Sequence, residues 1–350
     1  MDRQAFIAES VKAAVRDGRP LNIRGGNTKS FYGYPSQGEP LDVAQHQGIV
    51  EYDPGELILT CRAGSRLSDV QAALQDNGQH FPFEPPGFGA EATIGGTVAC
   101  GFSGPRRPWS GSLRDYLLGV KLVNGSGELV RYGGQVMKNV AGYDISRLMA
   151  GSMGTLGILL ETSFKVLPLP ASELTLDFEC GQGEAIRRVN QWSGQPLPLS
   201  GAWWWKGQLR VRLSGAESET RRAAQHLQAD RVSDDPKSWR DLREQQLEFF
   251  AQPGELWRLS LPPAAEPIDL AGDCLVDWGG AQRWYCTEMP ADEIRAYTAR
   301  AGGHATLFRG QPETERFHPL PDALRRLHLN IKQALDPNRI FNPFRMSRDW

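Results

Sequence analysis

The chain is poor in cysteine and has no long apolar run, and each shortage removes a class of protein. Its 350 residues include five cysteines, Cys61, Cys100, Cys180, Cys274 and Cys286. The number is odd and no two stand in C-x-x-C spacing, so neither a disulfide framework nor an iron–sulfur site of its own is expected. Small buried thiols fit the pattern better, and no metal site is expected. No stretch of about eighteen apolar residues occurs, so no spanning helix is expected. Excess charge is missing too. Lysine and arginine number 39 against 41 acidic residues, and no global field draws the protein to nucleic acid or to a membrane surface. The N-terminus, MDRQAFIAESVKAAVRDG, is amphipathic and lacks the basic-then-apolar order of an export signal. The expectation is a cytoplasmic protein attached to partners.

What the chain has is glycine, concentrated in its first 170 residues. Ile7, Val11 and Val15 recur at helical spacing, and Gly18 can end that helix. A short strand, Leu21–Ile23, runs directly into Arg24-Gly25-Gly26-Asn27-Thr28-Lys29. Consecutive glycines with asparagine permit positive φ, so several N–H groups can converge on one anion, with Arg24 and Lys29 adding charge. An ordinary Gly-Gly-Asn turn accounts for the same residues.

A second segment runs from Pro85-Pro86-Gly87-Phe88 through Thr93-Ile94-Gly95-Gly96-Thr97-Val98-Ala99 to Ser103-Gly104. Apolar residues interleave with its glycines, so it is expected to be buried, with backbone open to a flat or bulky ligand or to tight packing. A third, Gly151-Ser152-Met153-Gly154-Thr155-Leu156-Gly157-Ile158, feeds an apolar strand. None of the three has the strand, helix start and later acidic residue of a G-x-G-x-x-G nicotinamide fingerprint.

Beyond Pro168 and Pro170 the composition changes, and residues 171–310 hold eight of the ten tryptophans. The periodicity there predicts strand 174–180, helix 184–193, two strands within 201–213, helix 217–229 and helix 238–250. Strands 256–261, 274–278 and 283–288, helix 291–301 and strand 304–308 follow. That order suits an antiparallel sheet with helices on one side. A last helix is expected at 321–334.

In this order the motifs resemble those of flavoproteins related to vanillyl-alcohol oxidase and p-cresol methylhydroxylase. Arg24–Lys29 resembles the family's R-G-G-[GN]-T pyrophosphate loop, and Thr93–Gly104 its second flavin-binding segment. Asp336-Pro337-Asn338-Arg339-Ile340-Phe341-Asn342-Pro343 resembles its closing D-P-x-x-x-F-N-P-G-R segment, with Phe344 where glycine is usual. Within the family, the stretches 104–115 and 134–148 resemble the FAD-binding subunits of bacterial glycolate oxidases. The resemblance is dense over 20–170, thin over 171–310, and returns at 325–345.

The resemblance implies an α+β fold, with a two-lobed PCMH-type FAD-binding domain over 1–170. An α+β cap domain with an antiparallel sheet would span 171–310, and 311–350 would return to the first domain. It implies non-covalent FAD, since the first loop has no histidine. Arg24, Gly25, Gly26, Asn27, Thr28, Lys29, Pro86, Gly87, Thr93, Ile94, Gly95, Gly96, Ala99, Ser103, Gly104, Tyr143, Gly157, Ile158 and Asn342 would contact it. It further implies membership of a complex with a larger related FAD subunit and an iron–sulfur subunit, acting on a small 2-hydroxy acid. Localisation would be cytoplasmic, at the inner face of the membrane through partners.

Relatives that oxidise D-2-hydroxy acids carry paired histidines and an H-G-D-G-N-like segment in the cap, and this chain has neither. Hydride transfer from a hydroxy acid needs a base and a carboxylate clamp. His304 with Arg309 is the pair best suited, although a histidine merely satisfied at a strand start explains the same spacing. Three readings stand: a redox-active flavin subunit, a self-sufficient FAD-dependent hydroxy-acid dehydrogenase built on His304, or an assembly subunit with a non-catalytic flavin.

Overall fold

The computed structural model describes residues 2–134, 144–311 and 313–349. The chain divides into two compact units. One comprises Met1–Phe102, Ser112–Leu169 and Pro319–Trp350, the other Ser103–Gly111 and Pro170–His318. The boundaries expected from composition, near 170 and 310, are crossed by Ser103–Gly111, which no composition change marks.

Among its described residues the first unit holds nine strands: β1 (Leu21–Arg24), β2 (Glu39–Asp42), β3 (Ile49–Asp53), β4 (Ile58–Arg62), β5 (Gln79–His80), β6 (Leu117–Val123), β7 (Leu129–Gly133), β8 (Ile158–Lys165) and β9 (Leu167–Pro168). β1 and β2 pair in parallel, and a parallel bridge sets Phe341 beside Leu21. An antiparallel sheet in the order β3-β4-β8-β6-β7 forms the other lobe. Two apolar cores match the two lobes. Ile7, Val11, Leu21, Leu41, Leu160, Ile340 and Phe341 close one; Leu59, Val70, Leu74, Ile94, Val98, Leu122 and Phe164 close the other. The expected first helix is present at Gln4–Asp17 and buries Ile7, Val11 and Ala14. Gly18, at φ 63, ends it, and its N–H returns to the carbonyls of Ala14 and Val15. Each fully buried Ile, Leu or Val contributes roughly 1.5–3 kcal/mol, so this stripe fixes the helix to its lobe.

The second unit is an eight-stranded antiparallel sheet. Its strands are β10 (Ser172–Glu179), β11 (Leu199–Trp205), β12 (Gln208–Gly215), β13 (Arg231–Ser233), β14 (Glu255–Ser260), β15 (Asp273–Asp277), β16 (Gln282–Thr287) and β17 (His304–Arg309). The order is β13-β10-β12-β11-β15-β16-β14-β17. Alternation along each strand sends Leu176, Phe178, Ala202, Leu209 and Val211 to the helices Gln182–Ser193 and Glu217–Leu227. Trp257, Leu259, Ala305 and Leu307 face the helix Ala291–Arg300 in the same way.

Two expectations change. The helix expected over 238–250 is a helix at Pro236–Arg243 followed by a short 3-10 turn at Glu248–Ala251. Gln245 between them lies at φ 55, in the left-handed region that ends a helix. The strand β13 was not foreseen, being three residues long with no apolar alternation. No described helix is long and apolar enough to cross a membrane.

Candidate functional site

A cleft opens in the first unit, lined by Arg24–Ser30 along one wall. Thr93, Gly95, Gly96, Ala99 and Cys100 form a second wall; Met153, Gly154, Gly157 and Ile158 a third; Asn342 and Arg345 complete it. Among the described residues its charged lining side chains are Arg24, Lys29 and Arg345, with no carboxylate. Three cations lining one cleft favour an anion there.

The loop after β1 supplies the donors. In β1 the Val43 N–H donates to the Arg24 carbonyl (2.8 Å), and beyond Arg24 the chain leaves the sheet. Among the described residues the N–H groups of Gly25, Gly26, Asn27 and Thr28 have no hydrogen-bond partner within the protein. Four successive unpaired amides on the wall of a cationic cleft form an anion nest. Asn27 carries the left-handed backbone, at φ 55.

Gly26 corrects the sequence reading. Its φ is not positive; it is glycine because a Cβ there would overlap the Glu91 carbonyl oxygen. Gly25 is held in the same way, with the Thr93 Oγ1 2.5 Å from where its Cβ would stand. The two glycines therefore let the loop lie directly on the 91–93 segment.

That segment is built differently from the loop. Residues Ile94–Cys100 form a helix that the glycine spacing concealed. Thr93 caps it by accepting the Gly96 N–H (3.2 Å), and Gly101, at φ 65, ends it. The Ile94 N–H donates to the Ser65 carbonyl (2.9 Å) and the Gly95 N–H to the Ala63 carbonyl (2.7 Å). The helix start thus spends its first amides on the protein. The nest is the loop.

The expected contacts divide four ways. Arg24 to Lys29, Thr93, Gly95, Gly96, Ala99, Gly157, Ile158 and Asn342 converge on the cleft. Pro86, Gly87 and Ile94 do not line it. Ile94 is a core residue at 1% exposure, and the Gly87 carbonyl buttresses the loop from behind, accepting from Thr28 Oγ1 (2.8 Å) and Lys29 Nζ (3.1 Å). Ser103 and Gly104 belong to the second unit, where the Trp278 indole N–H donates to the Gly104 carbonyl (3.0 Å). Tyr143 lies outside the described residues.

Arg345, Met153 and Gly154 were missed. Arg345 is the last residue of the closing motif and donates to the carbonyls of Lys29 and Tyr34 (both 3.1 Å). Cys100 also lines the cleft, and burial pushes its thiol up against the opposing pull of Lys29 and Arg345. Protonated at neutral pH, it is a poor nucleophile. Elsewhere Cys61 is pushed up to about 12 by burial. Among the described residues, no three His, Cys, Asp or Glu side chains gather as a metal site would require.

His304 and Arg309 stand at the two ends of β17, about 17 Å apart at the rise of an extended strand. Too distant to act as one base-and-clamp pair, they also differ in setting. Arg309 buries its Nη2 without a hydrogen-bond partner. His304 pairs with Ser260 and Thr306 with Arg258, so the sheet sets His304 and Arg258 on one face. Burial, then Arg258 and His318, hold the His304 imidazole below its ordinary range.

Known proteins match this arrangement. Residues 3–133 match the FAD binding domain family model. Glycolate oxidase subunit GlcE of Escherichia coli (strain K12) is 48% identical over 345 residues, covering 99% of this chain and 97% of that one. Glycolate oxidase subunit GlcD of Bacillus subtilis (strain 168) is 35% identical over 159 residues, 45% of this chain and 34% of that one. A solved alkyldihydroxyacetonephosphate synthase superposes with a TM-score of 0.67 at 14% identity, covering 96% of this chain and 74% of that one, which shows the shared fold. Among the described residues, a cleft with an unpaired amide nest, three cations and no carboxylate fits the diphosphate of FAD. The chain belongs to the family of FAD-binding oxidoreductase subunits represented by glycolate oxidase subunit GlcE.

Proposed function

We propose that this chain is the FAD-carrying subunit of a glycolate oxidase complex, relaying electrons from oxidation of a small 2-hydroxy acid to its partners. The observation that carries the reading is the loop Gly25–Thr28, whose unpaired amides face a cleft lined by Arg24, Lys29 and Arg345. Bound FAD supplies the two-electron chemistry. The residues of this chain bind and orient it. The loop amides would hold the diphosphate oxygens, Arg24, Lys29 and Arg345 would neutralise them, and the backbone at Gly157 and Ile158 would meet a flat ring edge. Among the described residues no histidine lines the cleft and burial raises the Cys100 thiol, so the flavin would be held non-covalently.

The partners in this reading are a larger related FAD subunit and an iron–sulfur subunit, and the complex sits at the inner face of the membrane through them. The cysteines support a cluster held elsewhere. All five are free thiols, and burial raises those of Cys61, Cys100, Cys180, Cys274 and Cys286.

One observation favours a second reading, in which the chain oxidises substrate alone. Arg258 shares the sheet face of His304, so the clamp for a base at His304 would be Arg258 rather than Arg309. The test is the visible absorption of the purified, FAD-loaded chain after anaerobic addition of glycolate. Bleaching only when partner subunits are present supports the relay. Bleaching by the lone chain supports the His304 reading, and a flavin that never bleaches marks an assembly subunit.

A further inference from the structure

The last turn of the helix Asp322–Leu335 buries an ion pair that no part of the cofactor reading uses. Lys332 and Asp336 are 1% and 0% exposed, with Nζ 2.6 Å from Oδ2. Lys332 also donates to the carbonyls of Thr155 (2.7 Å) and Phe341 (3.1 Å). Asp336 accepts the N–H groups of Ile340 (3.2 Å) and Phe341 (2.9 Å). Neither side chain lines the cleft.

From this anchor the chain runs straight to the anion loop. The Leu21 N–H donates to the Ile340 carbonyl (2.7 Å), and the Asn342 N–H to the Leu21 carbonyl (3.0 Å). Asn342 accepts the Ile23 N–H on Oδ1 (2.7 Å) and donates Nδ2 to the Met153 carbonyl (2.8 Å). Arg345 holds the carbonyls at Lys29 and Tyr34, and the Tyr34 N–H donates to the Arg345 carbonyl (3.0 Å). Both ends of the loop, the strand before it and the turn after it, are thus fixed by residues 340–345. Three residues of this segment that are not glycine hold left-handed backbone: Arg339 (φ 52), Asn342 (φ 38) and Phe344 (φ 66). Such backbone persists only where its surroundings impose it.

We propose that residues 332–345 are a clasp that presets the anion loop, with Lys332 and Asp336 as positioning residues for FAD retention. The proposal rests on the reading of the cleft as the FAD site. An undocked segment would leave the Ile23 N–H unpaired and remove the Arg345 donor from the Lys29 carbonyl, and the nest would lose its fixed geometry. By linkage, a ligand of the nest must in turn tighten the clasp.

The first test uses the unaltered chain. Hydrogen exchange is followed with and without ADP as the diphosphate probe, then with FAD. Exchange at the Ile340 and Phe341 amides, which touch only Asp336, should slow at least tenfold with either ligand. Unchanged exchange there, with protection confined to residues 24–28, overturns the clasp while leaving the cleft reading intact. The second test is Lys332→Met, with Asp336→Asn as the milder change should the first not fold. The expected result is FAD binding at least tenfold weaker, with faster exchange over residues 21–34 in the ligand-free chain. FAD affinity equal to the unaltered chain, with residues 340–345 exchanging freely, overturns the proposal. Should ADP and FAD fail to bind the unaltered chain at all, the cleft reading falls. The ligand-free exchange of residues 21–34 in Lys332→Met then still decides whether the clasp orders the loop.

Discussion

The two units present their chemistry in opposite ways. In the first, the cleft is made of backbone: four amides without partners, glycines that let one segment rest on another, and only three charged side chains. In the second, the sheet is furnished with side chains. Trp203 and Trp205 alternate with residues that enter the apolar core, Arg210 and Arg212 lie over the rings of Trp203 and Trp239, and Trp284 meets Phe250 and Phe308 edge-on. At Gly26 the site tolerates no side chain, since a Cβ there overlaps the Glu91 carbonyl oxygen. A side-chain face can be redrawn residue by residue on the same sheet. A family that shares a cofactor would keep the first and vary the second.

Four substitutions and a pH series would break or sharpen that contrast. The largest effect is expected in the second unit. Trp239 is 4% exposed, donates to Thr175 Oγ1 (2.9 Å) and packs on Gly201. Trp239→Ala should destabilise that unit by about 3–5 kcal/mol and leave the affinity of the cleft for FAD unchanged, as read by denaturant unfolding and flavin titration. Equal loss of both would mean that the units do not divide the labour.

Gly26→Val comes next. Forcing a branched side chain into the Glu91 carbonyl displaces the loop, and FAD affinity should fall more than a hundredfold, about 3 kcal/mol or more, with the second unit still folded. A variant as yellow as the unaltered chain would remove the loop from the site.

Acid should act on both units. His46 accepts the Arg3 N–H on Nδ1 (3.0 Å) at 1% exposure, and burial holds its imidazole below the ordinary value. Burial does the same, first among the causes, for His304 and His318. For each, the unfolded chain binds the proton more readily. Stability is therefore complete above about pH 6.5 and is lost as pH falls from there through the lower folded values. Melting temperature should drop between pH 7 and pH 5, and His46→Gln, which keeps an acceptor for the Arg3 N–H, should flatten part of that slope. An unchanged slope would assign the loss to the second unit alone.

Phe344→Gly is expected to be the mildest. Phe344 holds φ 66 and is 41% exposed, so glycine relieves left-handed strain at little packing cost. The gain should be about 1 kcal/mol, seen as a slightly higher melting temperature with FAD affinity retained.

The contrast also explains what could be read in advance. Arg24–Lys29, Thr93, Gly95, Gly96, Ala99, Gly157 and Asn342 line the cleft, and their order was readable because a backbone site leaves glycine and asparagine in fixed order. The reason for Gly26 was not legible, since a close approach and a positive φ demand the same residue. Pro86, Gly87 and Ile94 share the glycine-rich context of the site but point into its support. Helices and strands of the second unit followed from periodicity, apart from β13 and the break at Gln245. Its chemistry did not follow. Five residues along β17 place His304 and Arg309 far apart, whereas Arg258, distant in sequence, shares a face with His304 through strand pairing. The Lys332–Asp336 pair looks like an ordinary i, i+4 surface pair until the fold buries it.

The visible absorption spectrum of the purified chain, reconstituted with FAD and then given glycolate before and after its partner subunits, tests the central claim most directly. The account predicts a flavin spectrum that stays oxidised with the chain alone and bleaches once the partners are present. A folded chain that takes up no FAD would contradict it.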